Sequence, residues 1–147
     1  MATFPDATVL AFDFGTRRIG VAVGNTLTRI AHPLATLASG NAAAASTRWA
    51  ALRALLDEWA PRQLVVGLPL HADGTEHAMT ARARGFGRDL AQRFALPVAF
   101  EDERHTSEIA RDALVATGHG ARAERATRDR VAAQIILQAW FDARQDA

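Results

Sequence analysis

Three acidic groups stand at the ends of predicted elements, where a carboxylate serves either structure or chemistry. Asp13 follows the apolar run Val9-Leu10-Ala11-Phe12. Apolar neighbours alone suffice to build a buried strand, so a carboxylate at its end serves either a turn or a site. Glu101, Asp102 and Glu103 follow a second short apolar run, Pro97-Val98-Ala99-Phe100. Ligands in open α/β sheets bind beyond the carboxyl ends of the strands. If these two strands run parallel, both acidic groups share one rim of the sheet. Asp129 is the third. An aspartate in the first turn of a helix complements the helix dipole, and taken alone Asp129 fits that role. The helical phase argues for more. Ala132, Ala133, Ile136 and Trp140 recur on its side, which turns that side toward the sheet. Two Ala residues one turn on allow a close approach, with Asp129 aimed at the rim.

Converging carboxylates repel one another, and their pKa values rise unless a cation neutralises them. Hard oxygen donors select Mg²⁺ or Mn²⁺. The chain has no Cys, and His32, His71, His77, His105 and His119 show no ligand spacing. These histidines are expected on the surface or in loops, with His105 the one candidate helper beside Glu103. Arginines surround the acids. Arg17 and Arg18 lie in the first turn, Arg104 follows Glu103, and Arg122, Arg125, Arg128 and Arg130 flank Asp129. Such a ring suits an anionic polymer; each member also fits the role of a solvated loop charge. All 17 basic residues are Arg. That favours bidentate phosphate contacts, although a genome rich in G and C produces the same bias.

The elements that must position these groups follow from periodicity. Val9 to Phe12 is a buried strand, Gly15-Thr16 a turn, and Ile19 to Gly24 a second strand that exits at Asn25-Thr26. Arg29 to Leu37 is a third, with Pro33 marking an edge or a break. These three form an antiparallel meander. Trp49, Leu52, Leu55, Leu56 and Trp59 then recur at helical spacing, and Pro61 closes that helix. Leu64 to Leu68 is apolar throughout, as in a parallel strand covered on both faces. After a polar loop with Asp73-Gly74, Met79, Ala83, Phe86, Leu90 and Phe94 mark a second helix. Pro97 to Phe100 is the fifth strand. A third helix is expected to start near Thr106 or Ser107 and end before Gly118. Gly118 to Thr127 is expected as a polar, Arg-rich connector, and the last helix runs from about Asp129 to Ala143. The fold class is α/β: a mixed five-stranded sheet, three strands antiparallel and two parallel, with helices on both faces.

With 147 residues, 49% of them hydrophobic, residues 1–147 suit one globular domain with a full core. The net charge of +1 is too small to identify a partner. No long apolar run suits a membrane span, and the N-terminal residues lack the form of a signal peptide. With no Cys, a cytoplasmic location is expected.

Four segments together resemble the YqgF/RuvX family of RuvC-like proteins, described as Holliday junction resolvases and pre-16S rRNA nucleases. They are Leu10-Ala11-Phe12-Asp13-Phe14-Gly15-Thr16-Arg17-Arg18-Ile19-Gly20-Val21-Ala22; Val65-Val66-Gly67-Leu68-Pro69 with Asp73-Gly74-Thr75; Asp102-Glu103-Arg104 with Thr106-Ser107; and Asp129 with Ala132-Ala133 and Ile135-Ile136-Leu137. The resemblance implies a ribonuclease H-like fold. It implies Asp13, Glu103 and Asp129 as catalytic and metal-binding residues, with Glu103 chosen because it is the middle of Asp-Glu-Arg. Related nucleases muster four carboxylates, and three are matched here. The family more often has an apolar residue where His105 stands.

The chemistry implied is phosphodiester hydrolysis, with two divalent ions roughly 3.5–4 Å apart in such sites. Asp13 would bridge them, Glu103 and Asp129 would flank them, and Arg17, Arg18, Arg104, Arg122, Arg125 and Arg128 would hold nucleic acid. Family resemblance favours precursor 16S ribosomal RNA over branched DNA. The protein would act as a monomer or, for a symmetric junction, a homodimer. Two other classes share some of these features. Asp13-Phe14-Gly15-Thr16 also looks like the phosphate-binding turn of actin-like ATPases, which bind nucleotide between two such domains. A non-catalytic nucleic-acid binder or transcription accessory factor would keep the arginines and have no use for buried acids.

Overall fold

The computed structural model describes residues 7–38, 45–104 and 121–144, the last segment with side chains from residue 125. The elements are β1 (Thr8–Phe14), β2 (Arg18–Asn25), β3 (Ala31–Ala38), α1 (Ala45–Trp59), β4 (Gln63–Leu68), α2 (Ala78–Phe94), β5 (Val98–Asp102) and α3 (Ala121–Arg144). The sheet order is β3-β2-β1-β4-β5. β1 to β3 are antiparallel; β4 joins β1 in parallel, and β5 joins β4 in parallel. This is the expected mixed sheet, and β1 is central in it.

Alternation along each strand divides the core. Leu10 and Phe12, with Ile19, Val21, Leu64 and Val66, face α1 and α2. Val9 and Ala11, with Ala22 and Val65, face α3, which contributes Ala133, Ile136, Leu137, Trp140 and Phe141. β3 is an edge strand, which explains how Pro33 is tolerated. The β2–β3 register shifts there, with Val21 opposite Ala35 and Ala22 opposite Pro33.

Two boundaries differ from expectation. β5 extends to Asp102, so Glu101 and Asp102 belong to the strand and Glu103 comes just after it. α3 begins at Ala121 and runs 24 residues, not from Asp129. The segment Ala121-Arg122-Ala123-Glu124-Arg125-Ala126 holds good helix formers and no Gly or Pro, so propensity carries the helix through what looked like a connector. Asp129 therefore lies well inside α3, and the first-turn dipole role does not apply to it. The helix expected between Thr106 and Gly118 falls outside the described residues, as do His105 and His119.

His77, expected on the surface, is the N-cap of α2. Its Nδ1 accepts from the Met79 amide at 3.3 Å, while Thr80 Oγ1 accepts from the His77 amide at 3.1 Å. The buried Thr80 hydroxyl also donates to the Pro69 carbonyl. The β4–α2 loop is thereby fixed at the rim where Asp13 stands.

Candidate active site

Asp13 is next to last in β1 and pairs with Gly20 of β2. Both lie on the α3 face. A Cβ at Gly20 would sit 1.9 Å from the Asp129 carbonyl oxygen and 3.0 Å from its Cα. The helix backbone thus rests directly on the strand, which only glycine allows. Thr36, opposite Gly20 on β3, donates from Oγ1 to the Ala126 carbonyl at 2.7 Å. These contacts fix where Asp129 falls. Its side chain, 18% exposed, accepts from Arg18 Nε at 2.5 Å.

Glu103 reaches the same region from the other side. Its amide donates to the Leu68 carbonyl at 3.1 Å, extending the β4–β5 ladder by one residue. Its carboxylate lies over Gly67, where a Cβ would be 2.2 Å from Oε2 and 2.5 Å from Ile136 Cδ1. Glu103 is only 9% exposed. Gly20 and Gly67 therefore make the space in which groups from β1, β5 and α3 approach one another. The signal was present in the sequence, since a glycine inside a strand marks close approach, but its partner could not be named.

Electrostatics couple the groups. Burial, followed by repulsion from Asp129, pushes the Asp13 carboxyl up to about 7. Burial, followed by repulsion from Asp13 and then Asp102, pushes Glu103 up to about 8. Asp13 is the middle member, within the field of both others. Among the described residues no three acidic or His side chains are spaced to hold one ion. The donor chemistry of Asp13 and Glu103, one partly buried and one buried carboxyl group that repel when ionised, still fits a hard divalent cation. Asp129 stands beside them with its Oδ2 on Arg18.

The expected arginines divide. Arg17, Arg125 and Arg128 are exposed. Arg18 neutralises Asp129. Arg104 pairs with Asp102 at 2.7 Å and packs against Gly74, with Nη1 3.5 Å from the Ala72 carbonyl. It fastens the β4–α2 loop to the end of β5. The Arg122 side chain lies outside the described residues. Glu101, raised by burial and opposed by Arg144, takes no part in the Asp13 group.

A carboxyl raised in the folded state binds more protons there than in the unfolded chain. Stability without metal therefore falls as pH climbs from about 4 toward 8. Thermal unfolding in chelator is expected to give a lower Tm near pH 8 than near pH 5.5. Mn²⁺ is expected to raise Tm more at the higher pH. A chelated Tm independent of pH in this window, with no response to Mn²⁺, would refute the repelling acid pair.

The sequence pattern of the family described as "RuvX: Holliday junction resolvase" matches residues 7–143. The chain belongs to the RuvX family. A relative from Dechloromonas aromatica (strain RCB), named "Putative pre-16S rRNA nuclease", is 54% identical over 135 residues, covering 92% of this chain and 90% of its own. One of the same name from Chromobacterium violaceum is 52% identical, covering 90% and 96%. Among solved structures, Thermus thermophilus RuvC shares the fold with a TM-score of 0.52 and 19% identity, over 95% of this chain and 96% of that one. The same protein is also known in complex with a Holliday junction substrate. The RuvX family is one of nucleases, and the RuvC likeness makes the expected ribonuclease H-like fold the observed one. No helix among the described residues is long and apolar enough to cross a membrane.

Proposed function

We propose that this chain is a divalent-metal-dependent endonuclease that hydrolyses RNA phosphodiesters at Asp13, Glu103 and Asp129, with precursor 16S ribosomal RNA as the substrate class. The observation that carries the reading is the Asp13–Glu103 pair. Two carboxyl groups, Glu103 buried and Asp13 partly buried, stand in each other's field at the carboxyl rim of the sheet, so that ionising both is costly unless the site serves a cation. The bound cation, Mg²⁺ or Mn²⁺, supplies charge neutralisation and an activated water. Asp13, held on the central strand, fixes its place. Glu103, walled by Gly67 and Ile136, keeps bulk water from one side. Asp129 joins them as Arg18 turns from its carboxylate to a substrate phosphate. Exposed Arg17, Arg125 and Arg128 steer the polyanion. Hydrolysis adds water across one P–O bond, leaving a phosphate on one strand and a hydroxyl on the other.

The names of the relatives support RNA. The family's description supports a second reading, cleavage of branched DNA. A side-by-side assay decides: a precursor 16S rRNA fragment and a four-way DNA junction, each with Mg²⁺, with Mn²⁺ and with EDTA. The expected result is metal-dependent cutting of the RNA, with the junction at least tenfold slower. Faster junction cutting by a dimer would move the assignment to the resolvase, and cutting of neither would sink both.

A further inference from the structure

The helix layer on the opposite face of the sheet carries a second cluster that the acidic site does not use. Arg93 Cζ lies 4.1 Å from the Trp49 ring centre, and Arg53 Cζ lies 5.1 Å from that of Phe94. The Trp49 ring also stacks near Phe86 at 6.0 Å, so the core side of this cluster is braced. Arg53 and Arg93 are exposed, and among the described residues neither forms an ion pair. They flank a cavity of about 360 Å³ lined by Trp49, Ala50, Arg53, Arg93 and Phe94. A second cavity of about 240 Å³ shares Arg53, Arg93 and Phe94 and has Asp57 in its lining.

Two guanidinium groups held over aromatic rings are ordered in advance, so little side-chain entropy is lost when an anion arrives. The smaller cavity, walled by Leu56, Pro61, Phe94 and Leu96, accepts an unstacked base, which a duplex does not offer. We infer that Trp49, Arg53, Arg93 and Phe94 form a second binding site, for a phosphate and an adjoining base of single-stranded RNA. The phosphate takes the larger cavity between the two arginines. The carboxylate of Asp57 makes the smaller one unsuited to phosphate and suited to a base with an exocyclic amine. The inference rests on the proposed function for its choice of RNA, and it extends the binding surface beyond the acidic rim.

The test is the binding of a labelled oligocytidylate to the full chain in EDTA, read by anisotropy across a salt series and by tryptophan fluorescence. The wild type is expected to bind with partial quenching as the phosphate beside Arg93 alters the field on the Trp49 ring, and Trp49→Phe is expected to remove most of that quench. The double variant Arg53→Ala/Arg93→Ala is expected to bind about tenfold more weakly. Its log–log salt slope falls by about 0.7 for each phosphate that the protein no longer neutralises. The double variant Arg53→Lys/Arg93→Lys is expected to keep the slope and lose part of the quench. Folding of each variant is checked by its thermal melt. Unchanged affinity and slope in the alanine variant overturn the site, as does a wild type that binds no RNA or a quench that survives Trp49→Phe. Because EDTA prevents cleavage, these outcomes stand apart from the catalytic reading. A protein that binds as described and cuts nothing with metal defeats that reading alone.

Discussion

Asp13→Asn is expected to slow cleavage by about a thousandfold or more while the protein stays folded. The substitution keeps shape and removes the charge at the middle of the acidic group. Metal sites of this type contribute several kcal/mol to the transition state, and each 1.36 kcal/mol is a factor of ten. Stability moves the other way. Burial and the Asp129 charge hold the Asp13 carboxyl at about 7, so near pH 8 its ionisation costs the metal-free fold on the order of a few kcal/mol. Asparagine removes that penalty. The variant is expected to melt at a higher temperature than wild type near pH 8 in chelator, to lose that advantage near pH 4, and to lose most of the Mn²⁺-induced rise. Cleavage and melting measured on one preparation check both halves. Wild-type cleavage rates in the variant would remove Asp13 from the mechanism.

Gly20→Ala is expected to have the next largest effect, without touching any reacting group. The added methyl would sit 1.9 Å from the Asp129 carbonyl oxygen. The obstacle is backbone, so α3 must move away from β2 by more than an ångström. Overpacking of this kind costs about 1–3 kcal/mol. The shift also carries Asp129 away from Asp13, and a displacement of about 1 Å in a catalytic constellation can cost a hundredfold. The expected result is a folded protein with lowered Tm and cleavage reduced about a hundredfold. Full activity at wild-type Tm would show that the helix does not set the site.

The sequence made the sheet legible because its strands are short apolar runs separated by clear turns. The order of the strands along the chain and the parallel return of β4 followed from that pattern; Pro33 left β3 as an edge or a break, and the sheet has it at the edge. The side of α3 that meets the sheet was also legible, since Ala132, Ala133 and Ile136 share one phase and all are buried. The start of α3 was not. Polar arginines and alanines suit both a connector and an exposed helix, and periodicity does not separate the two. The acidic candidates could be found at the strand ends, but their spacing could not. It depends on what lies over Gly20 and Gly67, residues whose meaning comes from partners far along the chain. The arginines show the same limit. Their charge was visible, yet Arg18 and Arg104 are engaged by Asp129 and Asp102, and only geometry distinguishes them from exposed Arg17, Arg125 and Arg128. The His77 cap was missed because histidine is a rare choice for that position.

Arg18 and Asp129 are 111 positions apart and meet only when the final helix lies down on β2. Translation delivers the first strand well before that helix. A growing chain therefore carries Asp13 through the synthesis of the intervening residues without its counterpart on α3. On the proposed reading, a protein emerging beside ribosomal RNA stays inert toward it until α3 has been released to fold.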